Sequence, residues 1–185
     1  MNKRRVYILS ILMAALFSAL SEGESRAQTA VGTFHSPKGF GLSLETSKGP
    51  DYDHFASFFI IADMMDVWND KRASVGTKAT YTHNIVIRRG VLDKTVDWEF
   101  YAGPGLTGGL ARDTGKDYGL IAGITGCTGA RLSFSNKVMI SLDLNLDICA
   151  FATRNSRKGN YNMAFYEAGL THFPYPQIKI SYALR

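Results

Sequence analysis

The chain has only two cysteines, five prolines and two tryptophans in 185 residues. A disulfide-stapled scaffold is excluded, because such folds are dense in cysteine. Its formal charge of +5 is spread without a long basic block, so nucleic-acid binding has no support. Beyond the N-terminus no apolar run approaches the roughly 20 residues of a spanning helix. Any membrane crossing must then use strands, the other structure that satisfies its own backbone in lipid. The histidines are His35, His54, His83 and His172. Neither among themselves nor with the cysteines do they show metal-ligand spacing, so no metal or other cofactor is expected.

What is present begins with an export signal. Lys3, Arg4 and Arg5 precede an uncharged apolar segment from Val6 to Leu20, and Ser25 and Ala27 fit a cleavage site. Residues 1–27 are read as a signal peptide, with cleavage after Gly23 as the alternative, and residues 28–185 as a single domain. Loss of the leader removes four basic and two acidic residues and lowers the net charge from +5 to +3.

The most regular stretch is 139–150. Ile140, Leu142, Leu144, Leu146 and Ile148 alternate there with Ser141, Asp143, Asn145, Asp147 and Cys149. A strand places alternate residues on opposite faces, whereas a helix cannot align five aliphatics at that spacing. Gly, Pro, Asn and Asp divide the rest into similar segments. Eight strands are predicted: 30–34, 39–46, 55–68, 77–88, 98–111, 118–134, 139–150 and 177–185. A long irregular connection spans about 155–174. The predicted fold is all-β, an eight-stranded antiparallel up-and-down transmembrane β-barrel with a polar, side-chain-filled interior.

The polarity of the two faces decides between membrane and water. Polar-parity positions are often small (Gly41, Ser43, Gly103, Gly105), which suits a narrow lumen filled by a few large side chains. The charges on that parity have both signs, Glu45, Glu99, Asp143 and Asp147 against Lys78, Arg88, Arg131 and Lys179. They are expected to form an interior polar network. Aromatics at strand ends (Trp68, Trp98, Tyr118, Phe134 and Tyr182) suit an interfacial girdle. Cys127 and Cys149 share the polar parity of consecutive strands, but their registers miss by roughly 13 Å at strand rise. Two unpaired interior thiols are therefore favoured over a disulfide.

With Tyr101-Ala-Gly-Pro-Gly105 in a central strand and Pro176 to Tyr182 closing the last one, the chain resembles the small eight-stranded outer-membrane barrels of the OmpA/OmpX type. That resemblance implies an outer-membrane location, contact with outer-membrane lipid and lipopolysaccharide, and handling by the barrel-assembly machinery during biogenesis. Such barrels are mostly structural or adhesive, and a minority modify lipids. The leading expectation is a non-enzymatic protein contributing to envelope structure or surface interaction through its external loops. A lipid-A-modifying enzyme and a secreted soluble ligand-binding barrel remain alternatives.

Individual motifs add little chemistry. Gly103 to Gly108 matches G-x-G-x-x-G, but no helix follows and Pro104 interrupts a strand, so a dinucleotide site is not supported. His83 stands on the apolar parity of the fourth strand and is the sole catalytic candidate, as a general base, with a register irregularity as the plainer account. Thr82 and Asn84 flank it where a nucleophilic serine would be needed. In the long connection, Arg157, Lys158, Tyr161 and Tyr166 suit contact with phosphorylated lipopolysaccharide or a surface partner. The competing account is a lid whose aromatics pack over the barrel mouth.

Overall fold

The computed structural model describes residues 28–48, 53–63, 76–113, 118–134, 137–154, 161–171 and 176–184. Residues 1–27, read above as a signal peptide, lie outside the described residues. Among the described residues, nine strands and one short helix follow in order. They are β1 (Gln28–Ser36), β2 (Gly39–Lys48), β3 (His54–Asp63), β4 (Gly76–Asp93), β5 (Val96–Arg112), β6 (Tyr118–Phe134), β7 (Val138–Arg154), β8 (Tyr161–Phe165), α1 (Glu167–Thr171) and β9 (Gln177–Leu184). Neighbours from β1 to β7 pair antiparallel in sequence order, and β9 closes the ring between β7 and β1. The result is a closed eight-stranded up-and-down barrel. Its lower end carries Gln28 and Leu184 and the β4–β5 turn, and its upper end carries the projecting β7–β8 hairpin.

The alternation of β7 translates directly into two surfaces. Ile140 and Ile148 point outward at 39% and 44% exposure, while Asp143 and Asp147 are fully buried inside. The same division runs through β9, where Ile178, Ile180 and Tyr182 face out and Lys179 and Ser181 face in. Outward apolar residues also meet across strands. Tyr81, Leu106, Ile124 and Ile148 form one continuous row in register over β4, β5, β6 and β7.

The lumen is less uniformly polar than expected. Phe34, Phe55, Phe59, Tyr101 and Phe151 all point inward. Narrow barrels have no channel to spare, so large side chains fill the space. Small residues make room for them. A side chain at Gly41 would strike the Phe34 ring, and one at Gly129 would strike Tyr101. Phe34 and Phe59 meet edge to face at 5.7 Å, as Phe55 and Tyr101 do at 4.9 Å.

Two expectations about the connections need correction. The 155–174 segment is not wholly irregular: β8 extends the wall of β7 from Ala150 to Arg154, and α1 follows. β4 also runs on to Asp93, five residues past its expected end, through a β-bulge between Val86 and Arg88. Trp68 and the rest of the β3–β4 connection lie outside the described residues.

Candidate functional site

The most concentrated chemistry lies at mid-barrel. Lys179 from β9 places its Nζ 2.5 Å from Glu45 Oε1 and 3.0 Å from Asp143 Oδ2. Arg131 from β6 reaches Glu45 Oε2 at 2.9 Å with one guanidinium nitrogen and Glu99 Oε1 at 2.8 Å with the other. Ser57 donates to Glu45 at 3.2 Å, and Asn84 donates to Ser57 at 3.2 Å. The Tyr101 hydroxyl donates to Asp143. Six barrel strands besides β4 thus contribute ions or donors to one connected set. Aromatic faces complete it, with the Arg131 guanidinium 4.2 Å from the Phe55 centroid and Lys179 Nζ 5.1 Å from that of Phe59.

A second pair lies higher in the lumen. Lys78 from β4 bridges to Asp147 from β7, whose other oxygen accepts from Thr125 at 2.8 Å. The structure therefore brings Glu45, Glu99, Arg131, Asp143 and Lys179 into one cluster and Lys78 and Asp147 into another. Arg88 joins neither. Because Ile87 is the extra residue of the bulge, Arg88 stands opposite Phe100 on the outward parity and is exposed. Arg89 follows opposite Glu99 and pairs with Asp53.

The remaining candidates scatter. His83 is exposed on the outer wall and stacks on His54, ring centroids 5.6 Å apart, beside the first residues of β3. Tyr161 is exposed at the start of β8. Tyr166 is not on the surface: it is buried, lies face to face with Phe151 at 6.2 Å, and its N–H bonds the Cys149 carbonyl. The lid account fits that residue, because a large ring beside an open lumen gains most by packing into it. Arg157 and Lys158 lie outside the described residues. Among the described residues no group of three or more His, Cys, Asp or Glu could hold a metal ion.

Sequence reasoning did not single out Ser57, Asn84, Tyr101 or Gln177, although all have buried polar contacts in the cluster. The polar parity of Tyr101 and Asn84 was the available signal. Asp113, which accepts the Ala168 N–H at 2.9 Å and so anchors α1, left none.

Cys127 and Cys149 are both buried and both free. They face Asn145 and Gly123 respectively across β6 and β7, four rungs apart. Folded protein should therefore resist maleimide, and denaturation without reductant should expose two reactive thiols. Fewer than two would contradict the arrangement.

No family model matches the chain, and no curated protein matches it. Among solved structures, it is similar to the N-terminal β-barrel domain of Pseudomonas aeruginosa OprF, with a TM-score of 0.44 and 9% identity over 86% of this chain and 98% of that one.

Proposed function

We propose that this chain is a non-enzymatic outer-membrane β-barrel that supports envelope structure or surface interaction through its upper connections. The observation carrying this reading is the inversion of its surfaces. Buried Glu45, Asp143, Arg131 and Lys179 lie inside, while Leu42, Leu106, Ile124 and Ile180 lie outside at more than half exposure. A water-soluble barrel reverses that arrangement, and a lipid-embedded one requires it. The interior offers ion pairs that already satisfy one another, filling the lumen instead of presenting a nucleophile and base. Above the wall, every residue of β8 is exposed, including Tyr161, Met163 and Phe165, so the hairpin offers aromatic surface for contact.

The test is heat-modifiable mobility of the detergent-purified mature chain. Unboiled protein should run at a different apparent size from boiled protein, and it should require detergent for recovery. Recovery from the periplasm as a soluble protein with a single boiled-like band would overturn the reading.

A further inference from the structure

Two imidazoles interrupt the apolar outer surface of β3 and β4. The antiparallel register sets His54 opposite Ile85 and His83 opposite Ala56, so the histidines stand on one diagonal of a four-residue patch. Both are exposed, and Tyr81 continues the outward row above them. Diagonal neighbours on paired strands are within reach of aromatic side chains. Here the ring centroids are 5.6 Å apart and the planes lie 25° from parallel. Among the described residues neither ring has a hydrogen bond or an ion pair. A polar group on an apolar wall without a partner calls for a function.

The pair sits where the apolar wall gives way to charge. Asp53 precedes His54, its carbonyl accepts the Val86 N–H at 2.8 Å, and its carboxylate pairs with Arg89. Arg88, beyond the bulge, is exposed. Dissolved ions therefore reach this margin whether lipid or water surrounds the wall above it, and the site does not depend on the outer-membrane reading.

The spacing of the rings matches shared ligation. With metal–nitrogen bonds of about 2.0–2.1 Å, two imidazoles bound side by side to one ion have centroids roughly 5–5.5 Å apart. The present planes do not yet aim at one point. The terminal torsion of histidine is broad, however, so each ring can turn a nitrogen inward without moving its strand. A neutral imidazole keeps one nitrogen free to accept. Imidazole suits copper and zinc, whereas calcium and magnesium take oxygen ligands. The adjoining Asp53 carboxylate is already engaged by Arg89, so water fills the other coordination positions.

We propose that His54 and His83 together bind one divalent ion of the copper or zinc type at the lower margin of the outer wall. With only two protein ligands the site is open and exchangeable. Sequence spacing could not reveal it, because the β3–β4 register alone brings the two residues together.

Titration of the untagged full mature chain in dodecyl maltoside with Cu²⁺, followed by electron paramagnetic resonance, tests it. One Cu²⁺ should bind per chain, with hyperfine splitting from two imidazole nitrogens, and a large excess of Mg²⁺ should not displace it. His54→Phe and His83→Phe each keep an aromatic ring on the wall and should each weaken binding at least about tenfold. His35→Gln, on β1, should leave it unchanged. Circular dichroism establishes that each variant keeps its strands, and either phenylalanine variant alone suffices. Binding unaffected in a folded phenylalanine variant, a spectrum showing one imidazole, or an equal loss in His35→Gln overturns the proposal.

Discussion

Lys179→Met should destabilise the barrel by about 3–5 kcal/mol, because it strips the shared cation from two buried carboxylates. Lys179 is fully buried and bonds both Glu45 and Asp143. The two acids are not left in equal difficulty. Glu45 keeps Arg131 and Ser57, whereas Asp143 keeps the neutral donors Tyr101 and Gln177. An uncompensated charge is the costly outcome, so Asp143 carries most of the penalty. Adding Asp143→Asn to Lys179→Met should therefore restore much of the loss, and adding Glu45→Gln should restore less. Urea unfolding followed by heat-modifiable mobility measures all three. A single variant within about 1 kcal/mol of the parent, or equal rescue by the two acids, would show that Lys179 is not the hinge of the network.

How much of this was legible in the sequence depended on whether the two parities of a strand differ. In β7 and β9 they differ most clearly: Ile140, Leu142 and Ile148 face out against buried Ser141, Asp143 and Asp147, and Ile178, Ile180 and Tyr182 against Lys179 and Ser181, as read. β3 is apolar on both parities, but its cleaner apolar set, Ala56, Phe58, Ile60 and Ala62, is the one that faces out, and Ser57 marks the parity on which Phe55, Phe59 and Ile61 go inside. Gly41 leaves room for the Phe34 ring, which meets Phe59 edge to face. Arg88 is where the alternation misleads. A bulge reverses parity by inserting one residue, and Ile87 bears no local mark of it. Asp113 gave no signal because its role depends on where α1 docks, a tertiary contact that no spacing along the chain encodes, and the same docking decides between the surface and lid accounts of Tyr166. The charge cluster was accessible for the opposite reason. Strict alternation sends Glu45, Asp143 and Lys179 into one narrow lumen, where distant residues have little choice but to meet.

Ile124→Arg probes the other surface and discriminates sharply between solvents. Ile124 stands between Leu106 and Ile148 in the outward row, with Tyr81 completing it. If hydrocarbon surrounds that row, arginine there should cost about 2–4 kcal/mol, the penalty for a cation near the bilayer midplane. If water surrounds it, an exposed substitution away from caps and cores should change stability by no more than about 0.5 kcal/mol. Depth supplies the internal control. Tyr182 is also outward, but it pairs with Val138 at the lower end of the wall, close to the β6–β7 turn. Tyr182→Arg should therefore cost only about 0–1 kcal/mol, the range found near the interfaces. Refolding each variant into short-chain phosphatidylcholine vesicles and titrating with guanidinium chloride reads both values. A steep difference between the two positions requires a lipid exterior. Equal small effects would mean that the apolar row meets water, and the inverted barrel would lose its physical basis.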